Sequence, residues 1–220
     1  MCGRLTITTK ERAKLIAVFP GLEIPDWPDP RYNVAPTQSV AAILNEQPNI
    51  LTWIRWGLIP RWAKDATIGN KLINARAETL QEKPSFRDAY ERRRCLILAD
   101  GFYEWAAVPG QKAKQPYYFT LRSGEPFAFA GLWERWRSPD EKDITTCTII
   151  TTTPNELLAK IHDRMPVMLT GESCKSWIAP GPPQRELLAP YQAAGMTMHP
   201  VSTMVNNARV DDAQCIENAK

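Results

Sequence analysis

The chain lacks the features that would tie it to a membrane, a secretory route or a structural metal. Its 220 residues contain no apolar run long enough to span a bilayer and no signal-peptide pattern at the start. Histidine occurs only at His162 and His199, and the five cysteines are widely spaced without a CxxC pair, which argues against a zinc site. Free thiols are typical of a reducing compartment, so we expect a cytoplasmic protein without a cofactor or metal.

An excess of charge of one sign is also missing. Lys and Arg number 27 and Asp and Glu 24, a net charge of +3, which by itself does not indicate nucleic-acid binding. In the N-terminal third, however, basic residues from Arg4 to Arg76 are interleaved with Trp53, Trp56 and Trp62. Such a mixture can follow a phosphate backbone and stack bases, or it can be a solvated face over core tryptophans. The composition leaves both interpretations open.

What the chain does contain is a series of segments rich in β-branched and aromatic residues, which predict strands. The stretch 95–106 is interpreted as one strand that ends at a site, and the proline-rich stretch 20–38 as irregular. Helices are predicted near 8–19, 83–94, 155–162, 171–178 and 185–193. Because strands come in runs rather than alternating with helices, we expect a single α+β domain over residues 1–220 with an antiparallel or mixed sheet.

Cys2 is the first of the candidate functional residues. Cysteine is small enough for an aminopeptidase to remove Met1, and the mature chain would then begin with an amine and a thiol on adjacent carbons. A buried apolar cysteine is the alternative. The ordinary pKa values of an α-amine, about 7.7–8.0, and of a free thiol, about 8.5, predict that a useful share of each group is deprotonated near neutrality.

Other polar side chains stand among apolar neighbours at three further places. Glu104 lies between two aromatic residues, where burial would raise the pKa of its carboxyl group, although an exposed strand face would look the same. His162 precedes an aspartate and an arginine, which suits either acid–base chemistry or a salt-bridged turn. Asn74 and Arg76 alternate and would share one strand face, which is either a site or a plain polar surface.

Several motifs occur in a recognisable order along the chain. They are MCGR, RYNVAPTQ, WGLIPRW, INARAET, RRCLILADGFYEW, IITTTPN, IHDRMPV, and HPVS followed by VNN. Together they cover nearly the whole chain and resemble the SRAP family, the SOS response-associated peptidase-like proteins that process abasic sites. The resemblance implies one compact α+β domain with a curled, mostly antiparallel or mixed, barrel-like β core and peripheral helices. It also implies binding of single-stranded DNA and covalent attachment of the N-terminal cysteine to the abasic-site aldehyde.

The resemblance assigns roles residue by residue. Cys2 becomes the nucleophile, and Asn74, Glu104 and His162 become catalytic neighbours. The implied DNA-binding residues are Arg4, Asn33, Pro36, Trp62, Arg76, Trp105, Thr151 and Arg164. Two positions depart from the family pattern: Ala63 stands where some members have a second tryptophan, and Leu98 replaces a usual proline.

The residue set also predicts a product, and the resemblance implies partners. An amine and a thiol on adjacent carbons can close on an aldehyde to give a stable thiazolidine ring, whereas lysine could form only the imine. The expected partners are abasic single-stranded DNA and the replication machinery, with the protein a monomer at damaged DNA in the nucleoid. Peptidase-like self-processing is a further expectation. The alternatives are an N-terminal-nucleophile hydrolase such as a glutamine amidotransferase, or a non-covalent single-stranded-DNA-binding module.

Overall fold

The computed structural model describes residues 2–8, 12–26 and 29–219. Strands dominate it, as the β-branched and aromatic segments predict. The strands are β1 (Leu5–Ile7), β2 (Arg31–Val34), β3 (Ser39–Leu44), β4 (Gln47–Trp56), β5 (Asn74–Arg76), β6 (Arg94–Ala99), β7 (Gly101–Ala106), β8 (Gln115–Leu121), β9 (Phe127–Arg137), β10 (Asp143–Thr152), β11 (Met165–Pro166), β12 (Met168–Leu169) and β13 (Met196–Pro200). The α-helices are α1 (Arg12–Val18), α2 (Arg87–Arg92) and α3 (Glu172–Ile178), and short 3₁₀ helices occupy several loops.

Five of these strands close into a mixed barrel. The pairing order β10-β4-β3-β6-β9 returns to its start because β9 also pairs with β10. Only the β10–β4 pairing within this ring is parallel. Closure pairs both edges of every ring strand, and that removes the open edges an isolated sheet would expose. The expected α+β fold with a curled, mixed, barrel-like core is therefore confirmed.

A second sheet, ordered β13-β8-β7-β1-β2, carries the N-terminal strand. The prediction of one strand over 95–106 is wrong, since β6 belongs to the barrel and β7 to this second sheet. At the crossing, the Asp100 carboxylate accepts hydrogen bonds from the hydroxyls of Thr6 at 2.6 Å and Thr8 at 2.7 Å. A Cβ on Gly101 would lie 2.2 Å from the Tyr118 hydroxyl oxygen, so only glycine fits the crossing.

Three other predictions also differ from the structure. The stretch 20–38 contains β2, since no proline interrupts Arg31–Val34 and β1 offers a pairing partner. The helix predicted at 155–162 is a 3₁₀ turn at Leu158–Lys160, because too few residues precede β11 for a helix to propagate. The helix predicted at 185–193 is a 3₁₀ turn at Arg185–Leu188, which a proline two residues later prevents from continuing. Glu11, near the start of the first predicted helix, lies outside the described residues.

The barrel strands bury alternate side chains in two clusters. One cluster joins Leu96 and Leu98 of β6 to residues of α1 and α3, such as Trp177. The other joins Ile97 of β6 to the second sheet and includes Cys2. Burying one such large apolar side chain contributes about 1.5–3 kcal/mol, so the segment around Cys2 is held where the barrel meets the second sheet.

Candidate active site

Cys2 lies just before β1 and is fully buried. The Tyr103 N–H donates to the Arg4 carbonyl at 3.1 Å, which extends the β1–β7 pairing beyond Leu5 and Phe102. The chain at Cys2 therefore runs alongside Glu104. The Asn74 side-chain amide donates to the Cys2 carbonyl at 2.8 Å, so three of the predicted catalytic residues meet at one place.

Asn74 reaches Cys2 because of the way β5 joins the barrel. β5 pairs in parallel with β10, with Asn74 opposite Ile149, and Asn74 uses its Nδ2 on the Cys2 carbonyl. Its Oδ1 is buried and accepts no hydrogen bond from the described residues. Because a buried amide oxygen is costly to leave without a donor, this atom is suited to accept one from a bound substrate.

Glu104 is a buried carboxyl group, 2% exposed, rather than part of a solvated strand face. Burial raises its pKa to about 7, a value suited to taking or giving a proton near neutrality. Burial and the nearby Glu104 charge also raise the pKa of the Cys2 thiol well above its ordinary value. The expectation that a useful share of this thiol is ionised near neutrality is therefore wrong for this structure.

His162 is partly buried, and burial lowers its pKa. Its Nδ1 accepts a hydrogen bond from the Arg164 backbone N–H at 3.0 Å and lies 2.8 Å from a carboxylate oxygen of Asp163. The first contact requires Nδ1 to lack a proton, whereas a hydrogen bond to the carboxylate would require Nδ1 to carry one. Because Asp163 is 84% exposed and its charge is solvated, we assign the proton of the neutral ring to Nε2.

Two observations connect His162 to the Cys2 region. The neighbouring Ile161 packs against the apolar cluster that contains Cys2. The charge of Lys114, on the exposed loop before β8, acts on both Glu104 and His162. The structure thus places the imidazole and the Glu104 carboxyl group within reach of one cation, which the sequence analysis missed.

Three predicted DNA-binding residues gather at the end of β10. Thr151 lies opposite Arg76 in the β5–β10 pairing, and Arg76 is exposed. Arg164 donates to the Thr151 carbonyl at 2.6 Å and makes two further bonds to Glu78, at 2.7 and 2.9 Å. Glu78 belongs to the INARAET motif, but nothing in the local sequence indicates that it pairs with Arg164, which is far along the chain.

Another group of predicted DNA-binding residues holds the C-terminal segment. Asn33 is fully buried, where its Oδ1 accepts from Arg4 at 2.5 Å and its Nδ2 donates to the Val210 carbonyl at 2.7 Å. Trp105 donates its indole N–H to Asn206 at 2.7 Å. These side chains position the chain between residues 203 and 211. Pro36, in the turn after β2, is half-buried.

The tryptophans of the basic N-terminal third divide between core and surface. Trp56 is fully buried and Trp53 packs against the core. Trp62 is 59% exposed and lies in a shallow concavity with Lys64 and Lys71. Ala63 uses its carbonyl to accept the Trp136 indole N–H at 2.7 Å. Among the described tryptophans, Trp62 is the most exposed, which suits it to stack a base, and its contact with DNA stays a prediction.

Within the described part of the chain, no cluster of three or more His, Cys, Asp or Glu could hold a metal ion. No helix found there is both long and apolar enough to cross a membrane.

The sequence and the fold are those of a known class of proteins. The family model for SOS response associated peptidase (SRAP) matches residues 1–208, and the chain belongs to this family.

The similar proteins include two abasic site processing proteins and one protein of known crystal structure. The abasic site processing protein YoqW of Bacillus subtilis is 46% identical over 228 residues, which cover 99% of this chain and 100% of YoqW. The abasic site processing protein HMCES of Rattus norvegicus is 31% identical, over 90% of this chain and 69% of HMCES. A crystal structure of a protein from Bacteroides thetaiotaomicron has a TM-score of 0.88 and 25% identity, with 100% of both chains covered.

Proposed function

We propose that this protein captures abasic sites in single-stranded DNA by a covalent bond to Cys2. The relatives are named abasic site processing proteins. The observation that carries the proposal is the arrangement of Cys2 beside a buried carboxyl group with a pKa of about 7 and under an Asn74 hydrogen bond of 2.8 Å. A nucleophile held by its own backbone next to a proton acceptor of matched pKa is suited to attack a carbonyl.

The first step uses the amine that removal of Met1 would expose on Cys2. This amine adds to the aldehyde carbon of the opened deoxyribose, and the Glu104 carboxylate takes the proton that the nitrogen gives up. Glu104 passes this proton to the sugar oxygen, which becomes a hydroxyl. The carboxylate then takes the second proton of the nitrogen and passes it to that hydroxyl, which departs as water and leaves an imine between Cys2 and the sugar.

The second step closes the ring. The Cys2 thiol adds to the imine carbon and its proton passes to the imine nitrogen, so that one C–N and one C–S bond have formed and one water has left. No oxidant or reductant is required. The raised thiol pKa favours this order, because a mostly protonated thiol leaves the first attack to the amine.

The remaining residues receive roles around the lesion. His162, neutral with its proton on Nε2, is suited to donate to the sugar oxygen as the ring opens. Arg76, exposed at the end of β5, is suited to contact a phosphate, and Trp62 to stack a base. Self-processing, contact with the replication machinery and a monomeric state at damaged DNA stay predictions.

The test is incubation with a single-stranded oligonucleotide that carries one abasic site. Denaturing electrophoresis should show a shifted band, and intact mass should equal protein without Met1 plus DNA less one water. Cys174→Ala is the matched control, since Cys174 is also buried but belongs to the other apolar cluster. Stable covalent capture by Cys2→Ala in the absence of borohydride, or no capture by the unmodified protein, would refute the proposal.

A further inference from the structure

The ion pair between Glu78 and Arg164 lies next to the site. Glu78 belongs to the 3₁₀ helix Ala77–Thr79, directly after β5, and its two carboxylate oxygens accept from Arg164 at 2.7 and 2.9 Å. The Arg164 side chain is 11% exposed and also donates to the Thr151 carbonyl at 2.6 Å. Bidentate pairs of this kind fix a guanidinium in orientation as well as in charge.

The same arginine is joined to His162 through its backbone. The Arg164 N–H donates to His162 Nδ1 at 3.0 Å, and only Asp163 separates the two residues. Fixing the Arg164 side chain against β5 and β10 therefore fixes the N–H that selects the His162 tautomer. Glu78 therefore acts on the imidazole through Arg164.

We propose that Glu78 is a positioning residue for His162. Its carboxylate anchors Arg164, the anchored Arg164 backbone holds Nδ1, and the Nε2 proton is thereby directed to the site. The catalytic meaning of this arrangement rests on the proposed function, whereas the coupling of Glu78 to the imidazole does not. The competing explanation is that the Glu78 carboxylate merely occupies a place on Arg164 that a DNA phosphate takes later, and this is an outcome of the test.

The first experiment follows the imidazole directly by NMR. The chain has two histidines, so His162→Ala assigns the ring resonances. Among the described side chains, the charges that act on His162 are those of Asp163 and Lys114. In Glu78→Gln the turn should loosen and the ring gain water, so its resonances should shift and its pKa should rise toward the ordinary value. Glu172→Gln is the matched control, because it breaks an exposed ion pair of similar length, 2.7 Å to Lys175.

The second experiment measures crosslinking at saturating abasic DNA. Glu78→Gln should slow the rate about tenfold, less than the roughly 10²-fold that a 1 Å misplacement of a reacting group can cost, while affinity for undamaged single-stranded DNA stays the same. In the His162→Ala background, Glu78→Gln should not slow the crosslinking rate further, since the effects of two residues that act through one group are not additive. Thermal unfolding checks each variant, and Glu78→Asp, which keeps the charge on a shorter side chain, replaces Glu78→Gln if that variant does not fold.

Three results would overturn the proposal. The first is a set of His162 resonances that Glu78→Gln leaves in place. The second is tighter DNA binding by Glu78→Gln, which would show that the carboxylate competes with phosphate for Arg164. The third is a double variant in which the rate loss from Glu78→Gln multiplies the rate loss from His162→Ala. If the unmodified protein forms no crosslink, the proposed function fails, and the NMR experiment still decides the coupling.

Discussion

Replacing Glu104 with glutamine should make the protein more stable at alkaline pH while it removes the proposed proton acceptor. Burial raises the pKa of this carboxyl group from 4.5 to about 7, so the folded state binds the proton more tightly than the unfolded state does. The stability that comes from this proton is fully present below pH 4.5 and is lost as pH rises through about 7. The amide side chain of the Glu104→Gln variant would carry no charge at any pH, so the variant would not show this loss.

The size of the effect follows from the two pKa values. Each pKa unit corresponds to about 1.4 kcal/mol, and integrating the linkage relation gives a loss of about 2.5 kcal/mol in the unfolding free energy of the unmodified protein between about pH 5 and about pH 8. We expect the unfolding free energy of Glu104→Gln to gain this amount relative to that of the unmodified protein over the same pH range.

Urea unfolding over this pH range measures the difference. Glu78→Gln is a control of opposite sign, because the hydrogen bonds from Arg164 lower the pKa of Glu78. The stability that Glu78 contributes is present above its unfolded pKa and is lost as pH falls through the lower folded value. If the Glu104→Gln difference were independent of pH, Glu104 would not be a buried carboxyl group with a raised pKa, and its proposed role would lose its physical basis.

Four further outcomes are expected. Cys2→Ala and Cys2→Ser keep the amine but lose the thiol, so each should keep most of the DNA affinity and form only an imine, seen after borohydride trapping; a stable crosslink of normal yield with Cys2→Ala in the absence of borohydride contradicts the mechanism. The rate of crosslinking should rise with pH around a midpoint near 7, and in Glu104→Gln the midpoint should move toward the ordinary pKa of the α-amine, about 7.7–8.0; an unmoved midpoint assigns the limb near 7 to another group. His162→Ala should slow both formation and release by roughly 10²-fold at nearly unchanged final yield, measured with a competitor-DNA chase; normal rates would make His162 structural. Trp62→Ala should weaken single-stranded DNA binding by about 1–3 kcal/mol in a fluorescence titration, and an unchanged affinity would exclude stacking at this position.

The local pattern of the sequence predicts much of the secondary structure. Strands such as β9 and β10 are long runs of β-branched and aromatic residues, and side chains of this kind favour the pleated, half-buried environment of a sheet wherever the strand pairs. The short helices were predicted less well. The segments 155–162 and 185–193 have helical composition, but the approach of β11 and the proline at 190 stop each after about one turn.

The candidate site could be predicted in part, for a similar reason. The aromatic neighbours of Glu104 are compatible with a buried carboxyl group of raised pKa, but adjacent residues on a strand face opposite sides of the sheet, so they do not exclude an exposed one. The buried amide of Asn33 could not be predicted in this way. Its acceptor at Val210 is far along the chain, and no periodicity in the RYNV segment indicates it.

The sequence by itself determined the family, the strand-rich composition and the presence of a cysteine that removal of Met1 would expose. These follow from residue type, order and short-range spacing. Only the tertiary structure decided that Asp100 is where the chain crosses from barrel to sheet, that the Cys2 thiol is buried beside Glu104, and that Arg164 is paired with Glu78. Each of these depends on which distant segments meet. Side-chain alternation along a strand specifies two faces but not which partner covers each, so hydrogen bonds and desolvation between remote residues become readable only when the chain is folded.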